Sequence, residues 1–260
     1  MSNLNFEKYE ELQKIEDTLF ITTMQNIKKD ISDPCSPIPN RAISINLLRS
    51  MCKFHVAYFF NFFWGIKNDF IKNCLYYEDS PKLQQISIMF LSETMNNIYN
   101  EIPHENVNEF ILLVLEKIII FLEKNNSNLK SYAGNFIKNM AETIPCEAVP
   151  ISLIKSLEEK DENIINFIYD CIESYFKEYI SYGLNFDFII ESLEISEIIN
   201  NEECKDYYAK IKKVFDLLKN IIETQGNNIN QFIHELHNKN KEIFIELFIP
   251  LFIYIYLLFY

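Results

Sequence analysis

The residues most able to do chemistry in this 260-residue chain are four histidines, six cysteines and a surplus of carboxylates. His234 and His237, in "HELH", stand at i and i+3 and could begin a metal site on one helix face. The metalloprotease spacing is i and i+4 with a glutamate between, and a zinc site needs a third protein ligand that the sequence does not supply. The pair therefore reads as surface histidines. Cysteines 35, 52, 74, 146, 171 and 204 are far apart, with no C-x-x-C, as expected of reduced thiols in a cytoplasmic protein. A Cys–His nucleophile pair would need a fold contact that spacing does not reveal. Carboxylate neighbours such as Glu158 and Glu159 sit in charge runs that solvated helix ends explain. With four glycines in all, there is no G-x-x-x-x-G-K-[ST], no G-x-S-x-G and no G-x-G-x-x-G. The expectation is no enzyme, no cofactor, no metal and no small-molecule substrate.

The net charge of −13 argues against nucleic acid as a partner, because phosphate neutralisation needs a basic face. The start, "MSNLNFEKYEELQ", is polar and acidic where a secretory signal would be basic and then apolar. A cytoplasmic location is expected, with association to the cytoskeleton if the partner lies there.

Elements that could position a binding surface are helical throughout. Hydrophobic residues make up 48% of the chain, and they recur at spacings of three and four, not two. About eleven helices are expected, near 4–29, 41–54, 56–77, 81–101, 104–123, 128–144, 147–158, 161–181, 186–199, 203–223 and 228–257. Ser80 with Pro81, and Ser127, are placed to start helices, while Gly183 and Gly226 are placed to stop them. Taken in pairs, the second helices start near 41, 81, 128, 161 and 203, in steps of 40, 47, 33 and 42 residues. Irregular steps near forty suit HEAT-type units better than tetratricopeptide or ankyrin ones. The expected fold is all-α, a right-handed α-solenoid of about five to six HEAT-like two-helix repeats. It would occupy residues 1–242, with an apolar C-terminal helix over 243–260.

Residues 130–154, "KSYAGNFIKNMAETIPCEAVPISLI", carry a helix with small Ala133 and Gly134, a stop at Ile144-Pro145, and the short element "AVPISLIKSL". This order resembles the middle repeat of TOG domains of the CLASP N-terminal type. "NRAISINLLRSM" (40–51), "KLQQISIMFLSETMNNI" (82–98) and "YYAKIKKVFDLLKNIIE" (207–223) fit the first, second and fifth repeats, so the similarity spans roughly 35–240. The resemblance implies a paddle of armadillo-like helical repeats whose edge of intra-repeat loops binds tubulin or microtubules. Carried onto this chain, those loops are 33–41, 78–82, 125–130, 158–162 and 202–206, and their bases are Arg41, Lys82, Lys130, Lys160 and Lys205. These five are either the partner-binding set or solvated charges at helix ends. The first loop, "SPIPNR", presents Ile38 and no aromatic, and the five loops hold ten acids against five bases. That balance motivates a second reading, a HEAT or armadillo-type scaffold that binds another protein without tubulin.

Two apolar runs complete the pattern. In "FFNFFWGIKNDFIKNCLYY" (59–77), Phe59, Phe63, Phe70 and Cys74 form one helical stripe, expected to face a core, with a peptide groove as the sharper alternative. The last run, "LFIPLFIYIYLLFY" (247–260), is short for a bilayer of about 30 Å and is broken by Pro250. It is a buried cap, the edge of a further repeat or a tail anchor, and membrane contact would come through it alone.

Overall fold

Strong helix formers fill Glu7–Asp17, yet this stretch of the computed structural model is not an α-helix. It holds one 3₁₀ turn, Tyr9–Glu11, and the first α-helix begins only at Phe20. The structure describes residues 7–77, 79–99, 104–158, 161–180 and 204–225, with isolated positions at 188–189, 192–193 and 198. Among them every regular element is helical: α1 (Phe20–Ser32), α2 (Ile38–Phe54), α3 (Val56–Phe70), α4 (Pro81–Ile98), α5 (His104–Ile119), α6 (Ser127–Thr143), α7 (Ala148–Lys155), α8 (Glu162–Tyr179) and α9 (Lys205–Gln225). The all-α class is thus shown. The expected helix over 4–29 is corrected to a strap followed by α1. Lys160, His234, His237, Gly183, Gly226 and the run 243–260 lie outside the described residues.

Local chemistry explains most boundaries. Pro37 precedes α2 and Pro39 lies in its first turn, where a missing N–H costs nothing. The Ser80 hydroxyl accepts from the Leu83 amide at 3.2 Å, and Pro81 opens α4. For α6 the cap is Asn126, one residue earlier than expected, with its side-chain oxygen accepting from the Asn128 and Leu129 amides at 3.1 Å each. Asp161 does the same for α8 through the Asn163 and Ile164 amides. After α3 the chain widens into a π turn, Ile71–Leu75, closed by the Tyr76 amide donating to the Ile71 carbonyl at 2.9 Å.

The chain divides into two compact units, Met1–Val107 with Ile120–Asn139, and Asn108–Ile119 with Met140–Tyr260. In the first, α2 packs against α1, α3 and α4. The expected stripe is inward, with Phe59, Phe63, Phe70 and Cys74 all buried. Its centre is a residue on α4: the Phe90 ring meets those of Phe59, Phe63 and Phe70 edge-on, at centroid distances of 6.0, 5.1 and 5.2 Å. Two links join successive second helices of the expected pairs. Arg49 of α2 pairs with Glu93 of α4, 44 residues on, and Asn139 of α6 donates to Asn96 of α4, 43 residues back.

In the second unit α7 is buried from Ala148 to Ile154, all round its circumference. A helix that is apolar on every side belongs in a core. The α8 helix packs on α7 and α9, and α9 turns Ile211, Val214, Phe215, Leu218 and Ile221 inward at spacings of three and four. Two tyrosine hydroxyls repeat the long-period linkage. Tyr179 of α8 donates to the Glu142 carbonyl of α6 at 2.8 Å, 37 residues back, and Tyr169 of α8 donates to the Lys210 carbonyl of α9 at 3.1 Å, 41 residues on.

Candidate functional site

Of the five expected loop bases, Arg41 is not on the surface. Its side chain is buried at 1% exposure, and it works inside the first unit. Its guanidinium donates to the carbonyls of Asn73 (2.7 Å), Pro34 (2.5 Å) and Asp33 (3.3 Å) and lies over the Tyr77 ring at 4.7 Å. The Asn73 amide donates in turn to the Ile31 and Ser32 carbonyls at 2.9 and 3.4 Å. Four carbonyls at the end of α1 and just past it are thereby satisfied by two side chains, one of them a cation at the negative end of the helix dipole. The π turn is what brings Asn73 there. Reading Arg41 as a rim residue fails because a base next to a helix end can turn inward to that end. Lys82, Lys130 and Lys205 are exposed.

A second polar constellation lies on the next turns of α2. The Arg49 guanidinium, 0% exposed, donates from Nε and Nη2 to the two oxygens of Glu93, 2.7 Å each. Its Nη1 reaches the Asn46 side-chain oxygen and the Glu7 carbonyl, both at 2.9 Å. Ser50 donates its hydroxyl to the Gln13 carbonyl. The Lys53 ammonium donates to the Tyr9 carbonyl at 2.7 Å and the Glu10 carbonyl at 3.4 Å, and stands 4.9 Å from the Tyr9 ring centroid. Three side chains of one helix face thus hold four carbonyls of the strap. Leu12 and Ile15 are buried beneath it, while Glu7, Lys8, Glu10, Glu11, Gln13, Lys14 and Glu16 stay exposed. The Tyr9 phenol is raised above its ordinary value, first by burial and then by Cys52 and Glu93, with Arg49 and an Asn97 hydrogen bond pulling the other way.

Two of the buried thiols are inert by environment. Burial pushes Cys74 and Cys146 up to about 12, with Arg41 and the backbone amides of Ala148 and Val149 as partial offsets. The Cys146 thiol also donates to the Asn108 side-chain oxygen at 2.7 Å. Cys35 is exposed. Tyr207 is likewise pushed to about 12 by burial, with Glu158 and Cys204 adding to it, and its hydroxyl donates to the Ile154 carbonyl at 3.3 Å. Among the described residues no group of three or more His, Cys, Asp or Glu is placed to hold a metal ion. Among them no helix is long and apolar enough to cross a membrane.

No protein-family model matches the chain, and no curated protein matches it. The strap face of α2 was missed in the sequence, where Arg49, Ser50 and Lys53 show only as i, i+1 and i+4 on a helix. Nothing in that spacing says that their acceptors lie some 40 residues earlier.

Proposed function

We propose that the chain is a non-catalytic HEAT-type helical-repeat module that binds a protein partner, cytoplasmic and TOG-like, with tubulin or microtubules as the partner to test first. The observation that supports it most is the long-period linkage. Second helices of successive pairs are joined across 44 and 43 residues in one unit and 37 and 41 in the other. Those separations match the steps near forty expected of two-helix repeats. In a solenoid each hairpin covers its apolar face with the next one, so recognition falls to the exposed junctions.

With Arg41 engaged internally, contact with an acidic partner would rest on Lys82, Lys130 and Lys205. Microtubule co-sedimentation and gel filtration with free tubulin, both at low salt, test this. The wild-type chain should pellet or co-elute, and K82E/K130E/K205E should not. A wild-type chain that does neither removes tubulin. A scaffold for another protein is the second reading, and the burial of Arg41 favours it, because the loop base that the TOG resemblance needs first is occupied.

A further inference from the structure

The strap is held in a way that leaves its identity largely unread. Its four bonds to α2 run through main-chain carbonyls, which any sequence carries, and its polar side chains point to solvent. What the groove does select is a row of three side chains at intervals of three: Tyr9 half-buried against the Lys53 ammonium, then Leu12 and Ile15 in the core. The strap is also net acidic, with Glu7, Glu10, Glu11, Glu16 and Asp17 against Lys8 and Lys14, and the Lys53 ammonium lies against its main chain while Arg49 is neutralised by Glu93. The segment departs from the helix its composition favours because those donors take its carbonyls. Exposed residues 16–19 then lead into α1.

We propose that this face of α2 and α4 is a peptide-binding groove whose resident occupant is residues 7–15, and that an acidic partner segment of the pattern Tyr-x-x-Leu-x-x-Ile exchanges with it. Recognition is by side-chain donors to main-chain carbonyls that no α-helix uses, plus spaced apolar pockets for the side chains between them. The tethered strap competes at an effective concentration in the millimolar range, so the groove is closed to weak ligands until the strap is released. This deepens the protein-binding reading but is independent of tubulin, since none of Lys82, Lys130 or Lys205 is involved.

The test uses the full chain with a specific protease site inserted after Asp17, which leaves every groove and strap residue unchanged. The probe is the fluorescein-labelled peptide EKYEELQKIED, residues 7–17, followed by fluorescence anisotropy. After cleavage the severed strap should leave and the probe should bind at least about 100-fold more tightly than it binds the uncut chain. A probe in which Leu12 and Ile15 are replaced by Asp should not bind. A second variant, L12D/I15D in the uncut chain, should keep its helical circular dichroism and also admit the probe, and adding K53M should weaken that binding about tenfold. The proposal is overturned if the cut chain stays folded and refuses the probe, or if cutting or L12D/I15D abolishes the helical signal, because the strap would then be an inseparable part of the core.

Discussion

Arg49 and Glu93 form a two-pronged ion pair between helices α2 and α4, with both nitrogen–oxygen distances at 2.7 Å and the arginine side chain fully removed from solvent. The fork geometry fits a carboxylate as an ammonium could not. Because Nη1 of the same arginine holds the Glu7 carbonyl, the pair connects the packing of two helices to the seating of the strap. Glu93 keeps one-fifth of its side chain in water, which lowers the cost of desolvating it.

Removing one partner should therefore hurt more than removing both. Glu93→Ala leaves a buried guanidinium without its counter-charge and should destabilise the chain by about 3 kcal/mol, the lower end for a broken buried pair. The double variant R49M/E93L should lose less than Glu93→Ala alone. Urea unfolding followed by circular dichroism measures both. A Glu93→Ala chain within 0.5 kcal/mol of wild type would mean the pair is spectator to the packing, a margin typical of neutral surface changes.

Phe90 sits among three rings and is fully buried, so Phe90→Ala should cost about 3–5 kcal/mol through lost contacts and the cavity left behind. Ile43, on the open side of α2 with 59% exposure, should tolerate alanine to within about 0.5 kcal/mol. Equal midpoints for the two variants in thermal unfolding would contradict this arrangement of the core.

These two positions also mark what the sequence could convey. The stripe Phe59, Phe63, Phe70, Cys74 is legible because period 3.6 leaves a trace within one segment. Phe90 is not, since its role depends on which helix lies opposite. The helix ends at Ser80 and Asp161 follow from capping chemistry that acts over three residues. The strap was misread for the opposite reason: Glu, Lys, Leu and Gln favour a helix locally, and side chains some 40 residues away capture the carbonyls that a helix would need. Arg41 belongs to the same class. Its neighbours place it beside a loop, but only the fold shows that α1 ends against it.

The buried thiols give a prediction in pH. Burial raises Cys74 and Cys146 from about 9 to about 12 in the folded chain, so the unfolded chain gives up those protons first. Their contribution is fully present below about pH 9 and is lost as pH rises toward 12, at about 1.4 kcal/mol per pH unit for each thiol. Tyr207, raised from 10 to about 12, acts in the same direction. The unfolding midpoint should fall between pH 9 and 10.5, less steeply in Cys74→Val. At pH 8, iodoacetamide should modify Cys35 rapidly and leave Cys74 and Cys146 untouched until denaturant is added. Early labelling of either buried thiol, read by peptide mass mapping, would refute the assignment.

Asn73 offers the sharpest test of how α1 is terminated. Its amide is a donor to two carbonyls, Ile31 and Ser32, and its own carbonyl receives Arg41. Asn73→Ala removes the donor and keeps the backbone acceptor, leaving buried carbonyls unpaired at a cost of about 1–3 kcal/mol. Asn73→Asp should be worse despite its nearly equal shape, because a carboxylate has no proton to give and would face two carbonyl oxygens inside the protein. Both losses should be local first. Hydrogen exchange at the Asp33 and Ser36 amides, which bond to the Lys29 and Asp33 carbonyls, should accelerate in Asn73→Ala before the global midpoint moves appreciably. If instead Asn73→Asp matched wild type in stability and exchange, the end of α1 would be held by Arg41 alone, and the π turn would have no part in positioning a donor there.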